Sequence, residues 1–79
     1  MRQVTLLTRP GCHLCDDARV VVRIVTSELD GTFLELNVDD DRELRGRYGD
    51  LVPVVLVDGI EHGYFVIDAE RLRAALRRT

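Results

Sequence analysis

A long amphipathic segment between two short β-prone runs constrains the fold of this chain most. From His13 to Leu29, apolar residues recur at intervals of three and four, which is the spacing of a helix with a buried stripe. The runs Val4–Leu7 and Phe33–Val38 flank the segment, and Asp30-Gly31 ends it. A crossover helix of this length connects parallel strands, so the two runs are expected to pair in parallel. The predicted stripe contains Leu14, Ala18, Val21, Val22, Val25 and Leu29, and Val20 and Ile24 are expected to widen it.

The residues that follow predict a short helix and then a β-hairpin. Asp40 with Glu43 three residues later has the spacing of a capping box, so the helix is expected to begin at Asp40. Val52–Val57 and Ile60–Ile67 are β-prone runs joined by Asp58-Gly59, a dipeptide that favours a tight primed turn.

The end of the chain predicts a third helix. Asp68 is placed to cap this helix, and Arg77 and Arg78 lie at its negative C-terminal end. The resulting order β-α-β-α-β-β-α predicts an α/β fold with a four-stranded mixed sheet flanked by three helices, the layout of a minimal thioredoxin-like fold. A chain of 79 residues has room for one small core, so residues 1–79 are expected to form a single domain.

The two cysteines of the chain, Cys12 and Cys15, lie three residues apart at the predicted start of the first helix. At this spacing their Cβ atoms are roughly 5–6 Å apart, close enough for a disulfide with little backbone movement. Such a bridge closes almost no loop and would stabilise the fold little, so its expected use is to react. The helix N-terminus favours a thiolate at Cys12, which makes Cys12 the nucleophile and Cys15 the resolving thiol.

Composition narrows the setting of this pair. A net charge of −3 argues against nucleic acid as a main partner. No run approaches the roughly 18 apolar residues that span a bilayer, so a cytoplasmic monomer without a membrane partner is expected. A reducing cytoplasm disfavours structural disulfides, which leaves redox chemistry or metal binding for the pair. A zinc site needs further ligands, and with only His13 and His62 available no metal is expected. His13 either tunes the charge at Cys12 or is an ordinary surface residue.

Three stretches of the sequence resemble the glutaredoxin-like family of short bacterial proteins. They are Thr8–Cys15, the residues Val38-Asp39, Glu43-Leu44 and Tyr48-Gly49, and Val52–Gly59. A CxxC motif alone is moderately specific, whereas a CxxC after a first strand with Val-Pro-Val some forty residues later is much more so. The resemblance covers essentially the whole chain and implies dithiol-disulfide oxidoreductase activity.

The same resemblance implies a substrate-binding role for four further residues. It implies a cis Val52-Pro53 peptide bond that faces the cysteines, so that an extended substrate pairs with the backbone of Val52. Arg9 stands where similar proteins carry a basic residue near the carboxylate of glutathione. Gly63 fills the first position of a paired glycine that contacts glutathione, and Tyr64 replaces the second.

The function expected from the sequence is therefore thiol-disulfide exchange on protein or small-molecule disulfides. Glutathione or a reductase is expected to supply electrons, and no cofactor is expected to be bound. Two alternatives use the same fold: a non-catalytic module that senses redox state through the pair, and a metal or iron–sulfur site shared across a dimer with Cys12 as a ligand.

Overall fold

The sheet is built around strand β1 (Gln3–Thr8), which pairs with a neighbour on each side. The computed structural model describes residues 2–77, and Arg78, expected near the end of the last helix, lies outside them. The other elements are α1 (His13–Glu28), β2 (Thr32–Asn37), a 3-10 turn (Val38–Asp40), α2 (Arg42–Tyr48), β3 (Val54–Val57), β4 (Ile60–Tyr64) and α3 (Ala69–Arg77).

Residues 2–77 form a four-stranded mixed sheet in the order β2-β1-β3-β4. Strands β1 and β2 are parallel, and the pairs β1–β3 and β3–β4 are antiparallel. The predicted element order and fold class are thus confirmed. Asp58 and Gly59 both have positive φ angles, 52° and 84°, as a primed hairpin turn requires.

Side chains alternate across β1, so the two faces of the sheet bury different clusters. Val4 and Leu6 face α1 and α3, and the cluster on that side also contains Ala18, Val22, Val25, Val55, Ile67 and Leu72. Leu7 faces the other side, where it packs with Val38, Val54 and Tyr48 of α2. The first cluster holds α1 against the sheet and so sets the position of the cysteines at the start of α1. No helix within residues 2–77 is long and apolar enough to cross a membrane.

The start of α2 differs from its prediction. Asp41, not Asp40, is the N-cap, and its Oδ1 accepts hydrogen bonds from the backbone N–H groups of Glu43 at 2.9 Å and Leu44 at 3.2 Å. A 3-10 turn precedes the helix because the Asn37 side chain accepts a hydrogen bond from the N–H of Asp39. Residues 38–40 belong to this turn, so Asp40 is not at the start of α2. The final helix begins as predicted, with Asp68 Oδ1 accepting from Glu70 N at 2.8 Å.

Two other expectations about burial and strand length are wrong. Val20 and Ile24 do not widen the buried stripe but are 54% and 48% exposed, because α1 packs on the sheet and α3 through one face only. Strand β4 ends at Tyr64 rather than at position 67, because the next residue, Phe65, has a φ of 66° and turns the chain out of the strand. Strand β3 begins at Val54, since Pro53 has no N–H to donate to a ladder.

The cap assignment of α2 predicts a difference between two adjacent aspartates. Asp41→Ala removes the acceptor of two helix N–H groups, so it is expected to lower the free energy of unfolding by about 1 kcal/mol. Asp40→Ala is the matched control and is expected to change it by less than about 0.5 kcal/mol. Urea denaturation of both variants measures the difference, and a larger loss for Asp40→Ala would contradict the assignment.

Candidate functional site

Cys12 is the N-cap of α1, and its backbone has the extended geometry of that position, with φ −94° and ψ 111°. Pro10-Gly11 turns the chain from β1 into the helix, and Gly11 takes a positive φ of 77° that suits glycine. The Sγ atom of Cys12 accepts a hydrogen bond from the backbone N–H of Cys15 at 3.2 Å. One of the unpaired amides at the helix start therefore points at the sulfur, which favours negative charge there.

Cys15 lies one turn further along α1 and has a different environment. Its side chain has 0% exposure, whereas Cys12 is half-buried, and both are free thiols. Burial, followed by a side-chain hydrogen bond with Cys12, raises the pKa of Cys15 to about 12. A backbone hydrogen bond from Arg9 and the positive charge of Arg19 act in the opposite direction. The pair thus consists of one accessible sulfur and one enclosed, protonated sulfur.

Pro53 lies at the end of the sheet where the cysteine turn begins. The register pairs Leu7 with Val54, so Pro53 is level with Thr8, the residue at which β1 leads into the turn. The Val52–Pro53 peptide bond is cis, and Pro53 is fully buried. Val52 is half-buried and packs against the cluster that contains Leu7.

The guanidinium of Arg9 is bound within the chain itself. It pairs with the Asp39 carboxylate at 3.0 Å and donates to the backbone carbonyl of Gly49 at 3.1 Å. These contacts join the cysteine turn to the 3-10 turn and to the end of α2. Binding of a substrate carboxylate by Arg9 stays a prediction, and it would require the guanidinium to exchange or share the Asp39 partner.

Gly63 is the predicted site residue that lies farthest across the sheet. Gly63 is in β4, two strands away from β1, and it pairs with Val55 of β3. A Cβ added at Gly63 would meet open space. Tyr64 and Phe65 follow it, with their rings edge to face at a centroid distance of 4.9 Å. The Phe65 N–H donates to the carbonyl of Pro53 at 2.9 Å, which ties this connection to the proline.

Three residues of the site were missed in the sequence. Arg19, one turn beyond Cys15 on α1, makes a two-pronged ion pair with Glu35 of β2 at 2.7 and 2.8 Å. The Thr8 hydroxyl donates to the same carboxylate at 3.1 Å. The ion pair between Arg19 and Asp16 at 2.8 Å could have been predicted from their spacing of three residues on a helix. The contact of Arg19 with Glu35 joins two separate elements, so no sequence pattern signals it. The Arg19 hydrogen bonds hold the pKa of Glu35 below its usual range.

A candidate metal site does not emerge from the described side chains. Within residues 2–77, no group of three or more His, Cys, Asp or Glu residues is arranged so that it could hold a metal ion. His13, next to Cys12, is exposed.

A cysteine pair at the first turn of α1 and a cis-proline directly before β3, on a four-stranded mixed sheet, define a thioredoxin-fold protein with a paired-thiol site. The chain belongs to the glutaredoxin-like family, because the family model "Glutaredoxin-like domain (DUF836)" matches residues 3–77. The predicted family resemblance is therefore confirmed.

Related proteins and structures agree with this assignment. The uncharacterized protein Rv0508 of Mycobacterium tuberculosis is 40% identical over 82 residues, which cover 98% of this chain and 84% of that protein. The X-ray structure of protein XcR50 from X. campestris has a TM-score of 0.76 at 39% identity and covers 92% of this chain and 93% of its own. A mutant thioredoxin from Halobacterium salinarum shares the fold, with a TM-score of 0.72 at 21% identity over 95% of this chain and 71% of its own.

The unequal burial of the two thiols predicts selective labelling. Because burial raises the pKa of Cys15 to about 12, its thiol is protonated at pH 8 as well as enclosed. Iodoacetamide is therefore expected to label native, reduced protein once, at Cys12, and to label both cysteines after denaturation in urea. Peptide mass spectrometry identifies the labelled residue, and equal labelling of both cysteines in the native protein would contradict the difference in burial.

Proposed function

We propose that this protein is a dithiol-disulfide oxidoreductase in which Cys12 attacks and Cys15 resolves. The observation that supports this most directly is the pairing of a half-buried and a fully buried cysteine. Cys12 lies at a helix N-terminus, and its Sγ accepts a hydrogen bond from the backbone N–H of the buried Cys15. A substrate can reach the first sulfur, and the second is held one turn away. The family and the fold support a thiol or disulfide partner in general.

The reaction begins when the Cys12 thiolate attacks one sulfur of a substrate disulfide. A bond forms between Cys12 Sγ and that sulfur, the substrate S–S bond breaks, and the other substrate sulfur leaves as a thiolate that takes up a proton. Cys15 then loses its proton and attacks Cys12 Sγ, which releases the second substrate thiol. The substrate gains two electrons and two protons, and Cys12 and Cys15 become a disulfide.

Return to the dithiol requires two electrons from a thiol reductant. A monothiol such as glutathione and a dithiol reductase are both chemically competent, and the proposal needs no resident cofactor. Pro53 lies level with the end of β1, which suits a substrate strand laid along Val52 beside Cys12. Arg9 contributes to substrate binding indirectly. Its contacts with the Asp39 carboxylate and the Gly49 carbonyl fix the cysteine turn beside which the substrate strand would lie.

Turnover and trapping test the proposal together. Reduced protein is expected to reduce the disulfides of insulin, with either glutathione and its reductase or a thioredoxin-reductase system as electron source. Cys15→Ser is expected to accumulate a covalent adduct at Cys12 with a thiol-exchanged substrate such as insulin, and Cys12→Ser is expected to form none. Intact-mass spectrometry measures the adduct. An adduct at Cys15 in Cys12→Ser would reverse the roles, and wild-type protein inactive with both electron sources would reject catalysis.

The charges around Cys15 predict opposite effects of two substitutions on the resolving step. Arg19→Met removes a positive charge that lowers the pKa of Cys15, so less thiolate forms and release of substrate from Cys12 is expected to slow. Glu35→Gln removes one of the two carboxylates that pair with Arg19, which leaves more of its positive charge uncompensated, and is expected to speed release. If the ion pair only braced α1 against β2, both variants would change the rate in the same direction.

Stopped-flow decay of a preformed adduct at Cys12 measures this release. In wild-type protein the rate is expected to rise with pH between pH 6 and 9, because burial, the largest cause of the raised pKa of Cys15, persists in the adduct and the thiolate fraction of Cys15 therefore increases with pH. A rate that is flat over this range would show that proton loss from Cys15 does not limit resolution.

A further inference from the structure

An apolar groove lies between α1 and the connection from β4 to α3. Its volume is about 160 Å³. A dry cavity of about this size holds one benzene-sized group, so the groove fits a single large apolar side chain. Its walls are Leu14, Ala18 and Val21 on α1 and Phe65, Val66 and Ile67 on the connection.

Three of the six apolar residues that line this groove are exposed to solvent. Val66 is 76% exposed, and Leu14 and Phe65 are each 43% exposed. A chain of this size has few apolar residues to spare from its core, and clustered exposed ones mark interaction surfaces more often than scattered ones do. Leu14 brings an exposed apolar side chain to the groove from α1, and Phe65 and Val66 bring two more from the opposite wall.

Phe65 is held in a backbone conformation that its side chain does not favour. Its φ of 66° lies in the left-handed region, which aromatic residues rarely adopt. The bond from its N–H to the Pro53 carbonyl and the edge-to-face contact with Tyr64 hold it there. Backbone outliers of this kind concentrate at ligand-contacting segments.

The groove begins at Leu14, close in sequence to Cys12. Leu14 is two residues beyond Cys12 in the first turn of α1, and the opposite wall is tied to Pro53, level with the cysteine turn. Asp17 stands at the groove, with the exposed Asp16 beside it in the sequence. Asp16 is paired with Arg19 at 2.8 Å, so Asp17 is the carboxylate that repels a ligand such as glutathione, which carries two carboxylates of its own, and that accepts a neutral or basic polypeptide.

We propose that this groove receives a bulky apolar side chain next to the cysteine of a polypeptide disulfide, so that the substrates of the enzyme are proteins and not glutathione disulfides. The inference rests on the proposed function and adds the substrate class to it. Cys12 Sγ bonds to the polypeptide sulfur while the groove holds the neighbouring residue, and the departing sulfur leaves with the electron pair of the broken S–S bond.

Three probes with one leaving group test the substrate class. Each is a mixed disulfide with 2-nitro-5-thiobenzoate: a peptide Gly-Leu-Cys-Leu-Gly, a peptide Gly-Ser-Cys-Ser-Gly, and glutathione. The prereduced protein is mixed with each probe, and release of the coloured thiol gives a second-order rate constant. Division by the rate with free dithiothreitol removes intrinsic differences in reactivity. The leucine peptide is expected to react about tenfold faster than the serine peptide, the discrimination that one apolar contact provides.

Two exposed residues give a matched pair of variants. Val66→Glu is expected to reduce the leucine-to-serine ratio to about one. Phe65→Gly removes a wall of the groove and is a second variant for the same measurement, with the same expected result. Ile60→Glu changes a residue of similar exposure, 73%, at the other end of β4, and is expected to keep the tenfold ratio. The ratio compares two rates on one preparation, so partial inactivation does not alter it.

The outcomes separate this inference from the proposed function. Equal rates for the two peptides, a faster reaction of the glutathione probe, or a tenfold ratio that survives Val66→Glu would overturn the groove proposal while exchange at Cys12 stands. Absence of release from every probe would overturn both.

Discussion

The hydrogen bond from the Cys15 N–H to Cys12 Sγ is the interaction on which the chemistry of this protein depends. It places a helix amide against an accessible sulfur at 3.2 Å, and it exists because Cys12 occupies the N-cap. That position is set from a distance, since α1 is held by the cluster that packs Ala18, Val22 and Val25 onto the sheet. The buried side of one helix therefore fixes the environment of a sulfur at its end.

Local patterns were sufficient to predict the fold and the paired thiols. The period of apolar residues in α1, the Asp58-Gly59 turn and the cap at Asp68 each depend on a few neighbouring residues, and the structure shows them, except that Leu14 of the predicted buried stripe is 43% exposed. The start of α2 was displaced by one residue because the bond from Asp39 N to Asn37 creates a turn that competes with the helix. A pattern of capping residues does not say which of three adjacent aspartates is left free to cap.

The features that sequence could not supply are those that join separate elements. The Arg19–Glu35 pair links a helix to a neighbouring strand, and its effect on Cys15 depends on the distance across that contact. Exposure of Val20 shows the same limit, since helical spacing gives the order of residues around α1 but not how far its packing partners extend. The positive φ of Phe65 has no local signal at all, because the residue types there favour a continued strand.

The complete burial of Cys15 has a consequence for the thiol-disulfide exchange that we propose. A dissolved oxidant or thiol meets only Cys12 directly, so every electron that enters or leaves the pair crosses a single sulfur atom. Damage to that one atom by over-oxidation or alkylation disconnects the second thiol without touching it. Because Cys15 is enclosed, a dissolved oxidant does not oxidise it directly, and its thiol stays reduced for as long as Cys12 is not itself oxidised.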